Sequence, residues 1–126
     1  PVQEPRRLNN DDVSRAMTAA LEAVAAFDRD SFELALFPVL GTGALSPAEM
    51  CDQALLPLLH AIGDAWENGR LSVAAEHFGS ALVRAKILHM LEFQPRGKRG
   101  QRVVCACPDT ERHEGGLLAF AVHGAA

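Results

Sequence analysis

A chain of 126 residues, 48% of them hydrophobic and 22% charged, is long enough for one modest domain, or one and a fraction, with a packed core. No apolar run could span a bilayer and no signal-peptide pattern opens the chain, so the expected location is cytoplasmic with no membrane partner. Three cysteines, an odd number, argue against a disulfide framework, and a net charge of −4 makes this segment a poor nucleic-acid binder by itself.

Residues 1–9 carry two prolines and an Arg-Arg pair and read as a tether. Asn10 or Asp11 can cap a first helix from Asp12 to about Asp28, with apolar Val13, Met17, Ala20, Leu21 and Val24 on one side. Asp30 or Ser31 can cap a second helix through Phe32, Leu36 and Phe37, ending near Pro38 before Gly41-Thr42-Gly43. Ser46-Pro47 is a cap followed by proline at the first helical position, which starts a third helix running to about Asn68, with a bend expected at Pro57. Asn68-Gly69 ends that helix, and Ser72 starts a fourth that reaches about Phe93. Four helices with short connections predict a mainly α fold, an antiparallel four-helix bundle over residues 10–93.

The composition then changes. Residues 94–101 are basic and rich in Gly and Pro, a linker. Residues 102–107, Arg-Val-Val-Cys-Ala-Cys, are apolar without polar alternation, which suits a buried parallel strand. A loop follows, and Gly115 to His123 reads as a helix. Strand, loop and helix would open an α/β Rossmann-like domain over 102–126, truncated before its second strand. Lacking the neighbouring strands, residues 94–126 are expected to pair with another copy or to pack loosely, and the chain alone is expected not to hold a ligand that needs that sheet.

The most informative stretch runs from Trp66 to an adjacent Glu76-His77 pair, with nine residues between the tryptophan and the glutamate. Across the Asn68-Gly69 turn, Trp66 falls in the last turn of one helix while Val73, Glu76 and His77 share a face in the first turns of the next. A tryptophan so placed is commonly core, and a glutamate near a helix start commonly complements the macrodipole. The combined Trp-x9-Glu-His pattern, framed by Ile62-Gly-Asp-Ala-Trp66 and His77-Phe-Gly-Ser-Ala81, resembles the helical cap of CarH/LitR-type photoreceptors, light-dependent transcriptional repressors that bind adenosylcobalamin.

A second pattern lies in the loop at 109–114. Glu111-Arg-His113-Glu-Gly-Gly116 can present an imidazole to a metal, orient it with a carboxylate, and let the backbone approach a flat cofactor at a glycine. It resembles the D-x-H-x-x-G of cobalamin-binding Rossmann domains, with Glu111 in place of the more common Asp. The resemblance implies that Trp66 and Val73 pack against the 5′-deoxyadenosyl group and that Glu76 hydrogen-bonds it. It implies further that His113 coordinates cobalt from below and that His77 takes the upper position after light breaks the cobalt–carbon bond. It also implies a dark homotetramer that binds DNA through an upstream helix-turn-helix domain. A corrinoid-carrying domain of a methyltransferase is the alternative, although such carriers have no evident use for an upper-face imidazole and usually have a D-x-H-D-x-G-K-like loop. A zinc site from Cys105, Cys107 and His113 lacks an evident fourth ligand. His60, His89 and His123 carry no motif.

Overall fold

The computed structural model describes residues 8–93, 103–108 and 114–125, and over these the fold is mainly α. The helices are α1 (Asn10–Ala25), α2 (Arg29–Leu40), α3 (Pro47–Met50), α4 (Leu56–Glu67), α5 (Val73–Glu92) and α6 (Gly115–Ala125), with a π turn, Cys51–Leu55, joining α3 to α4. Among them, no helix is long and apolar enough to cross a membrane.

Local side-chain chemistry sets the helix starts. Asn9, one residue before the expected cap, accepts the Asp12 N–H at 2.8 Å while the Asp12 carboxylate accepts the Asn9 N–H at 3.3 Å, a reciprocal capping box. Asp28, not Asp30 or Ser31, caps α2 by accepting the Ser31 N–H at 3.0 Å. The first helix accordingly stops at Ala25, short of the expected Asp28. Its end is a Schellman turn in which the Phe27 N–H donates to the Val24 carbonyl and the Asp28 N–H to that of Ala23. Phe27 occupies the left-handed position of that turn at φ 54°, where glycine is usual. Ser46 and Ser72 cap α3 and α5 as their positions predict.

The expected third helix is continuous in path from Pro47 to Glu67 but changes hydrogen-bond register on the way. The Leu56 N–H donates to the Cys51 carbonyl, five residues back. Pro57 accounts for this, because its ring cannot sit against the carbonyl four residues earlier and it has no N–H to give. The disturbance is therefore a π turn ahead of Pro57, and the helix after it is regular.

The core lies where α1, α2, the π turn, α4 and α5 meet. Phe32, Leu36, Leu55, Leu58, Ile62, Val83 and Ile87 are buried, as are the small residues Ala20, Ala23 and Ala75 that permit close helix approach. Gly79 marks a tight crossing, since a Cβ there would come within 2.7 Å of Val24 Cγ1 and 3.1 Å of Ile62 Cδ1. α2 is tied to α5 by an ion pair between Lys86 and Glu33, with the Lys86 Nζ 6.0 Å from the centroid of the Phe32 ring.

The expected Rossmann opening is only half met. α6 forms where a helix was expected. Residues 103–108 carry no strand among the described residues, and Val104 is 91% exposed. An apolar β-branched run becomes a strand only when a neighbour takes up its N–H and C=O groups, and no described segment does so. Nor does α6 pack loosely. Ala119 and Val122 are buried in the main core, and Gly115 lets the helix close on Leu59, whose Cδ2 would lie 2.5 Å from an added Cβ. Linker residues 94–101 and most of the tether at 1–9 lie outside the described residues.

Two polar contacts fasten α6, an Arg84–Glu114 ion pair beside its start and a 3.0 Å contact between His123 Nε2 and Asp52 Oδ2 near its end. The Ala119 carbonyl, which takes the other ring nitrogen at 2.8 Å, and then Asp52 raise the His123 pKa above its ordinary 6.5. The sign follows from a raised folded-state value: the stabilisation is complete below about 6.5 and is lost as pH rises through the folded pKa. Because the pair is exposed, the effect is modest and salt-sensitive. Hydrogen exchange at α6 amides should accelerate over that interval beyond its intrinsic pH dependence, and Asp52→Asn should remove the excess. Equal profiles for the two proteins would show that the pair does not hold α6.

Candidate functional site

The α4–α5 hairpin builds one end of the bundle. α4 ends in a second Schellman turn, with the Gly69 N–H donating to the Trp66 carbonyl at 3.0 Å and the Arg70 N–H to that of Ala65 at 2.8 Å. Gly69 sits at φ 73°, the conformation this turn requires. Ser72 then accepts the Ala75 N–H at 3.1 Å and starts α5. Trp66 is thereby fixed in the last turn of α4, a five-residue connection away from Val73 at the first position of α5.

The side chains at this end are open to solvent. Trp66 is 45% exposed and Val73 55%, neither belonging to the core, while Ala65 and Ala75 beside them turn inward. The α1–α2 turn adds a third apolar group: Phe27, 52% exposed, lies with its ring centroid 5.5 Å from that of Phe78 on α5. Indole, valine and phenyl surfaces are therefore presented where the helices end, which sequence reasoning anticipated for Trp66 and Val73 but not for Phe27. A left-handed phenylalanine carries no sequence signal.

Between these groups and the buried face of α5 runs a polar stripe. Val73, Glu76, His77 and Ser80 follow one another at three- and four-residue intervals. Glu76 is held at both oxygens: Ser80 Oγ donates to Oε1 at 2.8 Å, and His77 Nδ1 meets Oε2 at 2.5 Å. The Glu76 side chain is largely covered and that of His77 open, at 22% and 66% exposure. His77 Nε2 is left without a partner among the described residues. Sequence reasoning placed Glu76 and His77 on one face without anticipating their contact, and it missed Ser80, since a serine one turn along a helix is unremarkable.

Of the second cluster's site residues, only Gly116 falls among the described residues. Glu111 and His113 lie outside the described residues. Gly116 is exposed in the first turn of α6, with open space around it. Two shallow depressions lie elsewhere, one along α1 beside Gln53 and one between α1 and α2 near Leu34, and neither includes Trp66, Val73, Glu76 or His77. Trp66 and Val73 at the hairpin end are exposed.

Such a face, mostly apolar with a few fixed polar groups, suits a broad flat ligand with hydrogen-bonding edges. Among the described residues no three His, Cys, Asp or Glu side chains gather as a metal cage. A macrocycle that brings most of its metal's nitrogen ligands with it would need few from the protein, and His77 could supply one through its uncommitted Nε2. The residues present therefore fit a corrinoid.

Residues 13–90 match the B12 binding domain family. The chain belongs to that family. Within it, the chain is similar to the HTH-type transcriptional repressor CarH of Myxococcus xanthus, with 41% identity over 102 residues, 81% of this chain and 33% of that protein. It is also similar to the HTH-type transcriptional repressor CarA of the same organism, with 41% identity over 73 residues, 58% of this chain and 24% of that protein. The chain thus spans about a third or less of these relatives, and its family match covers α1 to α5 almost entire.

Proposed function

We propose that this chain is the cobalamin-binding part of a light-responsive transcriptional repressor and that adenosylcobalamin is its ligand. The observation that carries this reading is the Glu76–His77 pair, ordered at the open end of the bundle beside an exposed Trp66 indole, with His77 Nε2 uncommitted. When bound, adenosylcobalamin supplies a cobalt–carbon bond that visible light breaks. Trp66 and Val73 cover the adenosyl group and exclude water from it. Glu76 accepts hydrogen bonds from it through a carboxylate already fixed by Ser80. Residues following the bundle would supply the other side, with His113 holding cobalt, Glu111 orienting it, and Gly116 allowing close backbone approach. His77 would hold cobalt in the illuminated protein.

Signalling follows as part of the same proposal. The dark form is a homotetramer that binds DNA through another part of the longer protein, which agrees with the net charge of −4 here, and illumination dissociates it. The location is the cytoplasm, and the protein is a regulator and not an enzyme.

Absorption spectra of the full-length protein with adenosylcobalamin, in the dark and after green light, test the reading. A stoichiometric dark complex should convert to a bis-histidine spectrum. Failure to bind, or preference for methylcobalamin without a light response, would favour a structural bundle or a methyl carrier instead. His77→Ala should leave dark affinity nearly unchanged. Its photoproduct should lose the bis-histidine spectrum and hold cobalamin at least about tenfold less firmly, the scale on which even supporting groups around a metal act. Abolished dark binding with a surviving bis-histidine photoproduct would reverse the role given to His77.

A further inference from the structure

The geometry points to Ser80 as a positioning residue that selects, through Glu76, the nitrogen by which His77 can bind a metal. The inference rests on the cobalamin reading for its purpose but not for its geometry. A serine inside a helix ordinarily turns its hydroxyl to the carbonyl four residues back. Thr18 in α1 does so here, donating to the Ser14 carbonyl at 3.1 Å. Ser80 instead donates to the side chain of the residue four back, reaching Glu76 Oε1 at 2.8 Å.

Glutamate has three side-chain torsions and on an open helix face would sample many positions. Bonding Oε1 to a half-buried hydroxyl removes that freedom and leaves Oε2 at a defined place, where it meets His77 Nδ1 at 2.5 Å. A carboxylate only accepts hydrogen bonds, so Nδ1 must carry the proton, and in the neutral ring the lone pair then falls on Nε2. A hydroxyl, a carboxylate and an imidazole in series on one helix face thus present a single coordinating nitrogen. This resembles the carboxylate–histidine arrangements that orient ligands around bound metals, with the serine one step further out.

The test is made on the chain without cobalamin. Long-range 1H–15N correlation spectra at about pH 8.5, roughly two units above an ordinary imidazole pKa, report which ring nitrogen bears the proton. His77 should be mainly Nδ1-protonated. Ser80→Ala should shift the tautomer ratio toward Nε2-protonated by about fivefold, the worth of one hydrogen bond, and Ser80→Thr should restore it. Glu76→Ala should abolish the preference. Retained helical circular dichroism identifies variants that still fold. An Nε2-protonated His77 in the native chain, or an unchanged ratio in Ser80→Ala, overturns the inference. If the tautomer responds as stated and the full-length protein binds no cobalamin, the positioning role stands and the cobalamin reading falls. In the loaded protein, Ser80→Ala should also reduce the yield of the bis-histidine photoproduct.

Discussion

Phe32→Ala should destabilise the bundle by about 3–5 kcal/mol, the cost of emptying a fully enclosed phenylalanine site. Phe32 is 0% exposed and belongs to the main core where α2 meets the rest of the bundle. The hole it leaves would not fill easily. Leu36, Val24 and Ile87 of the same core cluster are themselves buried, and the Lys86 Nζ, 6.0 Å from the ring centroid, is held by Glu33. Domains of this size have a total stability of about 5–15 kcal/mol, so the variant would keep only a fraction of its margin. At about 4 °C per kcal/mol the melting midpoint should fall by about 12–20 °C. Urea unfolding followed by circular dichroism measures it, with an unchanged slope indicating that the native state alone was affected. A loss below about 1 kcal/mol would mean that the site collapses freely and that α2 is not anchored through this ring.

Trp66→Ala should weaken dark binding of adenosylcobalamin to the full-length protein by about thirtyfold, equivalent to about 2 kcal/mol. Aromatic anchors at the centre of a contact carry a disproportionate share of binding energy, and the Trp66 indole is left 45% exposed in the last turn of α4. Stability should barely change, because Trp66 is 45% exposed and outside both core clusters. That separation is what distinguishes a binding residue from a core one. Trp66→Phe should recover much of the affinity. Titration followed by absorbance in the dark reads the result. Unchanged affinity would remove Trp66 from the site, whereas an equal loss of affinity and of melting temperature would make it structural.

The sequence was most legible where a few neighbouring residues decide the outcome. Ser46-Pro47, Asn68-Gly69 and Ser72 each carry their own cap or turn chemistry, and the helices begin or end at them. The Trp66–His77 spacing placed an indole, a carboxylate and an imidazole at one end because a hairpin leaves little choice. Legibility failed where distant partners decide. The α1–α2 boundary moved because Phe27 takes a left-handed conformation for which only glycine or asparagine would have been read as a signal. Pro57 was legible as a disturbance, but not as a π turn ahead of it. The run at 102–107 had the composition of a strand, but its described part, 103–107, has no strand to pair with among the described residues, while the docking of α6 depends on Gly115 meeting Leu59, a contact no local pattern encodes. Ser80 was invisible for the same reason, since its significance lies in choosing a side-chain acceptor over the backbone.

The left-handed Phe27 carries a consequence for how this fold can vary. Glycine there would relax the backbone by about 1–2 kcal/mol. It would also give up the contact with Phe78, and an aromatic pair contributes about 0.5–1.5 kcal/mol beyond its buried area. The two quantities nearly cancel, so folding alone imposes little preference on what stands at this corner. Phe27→Gly should therefore leave stability almost unchanged while removing an exposed phenyl surface beside Phe78.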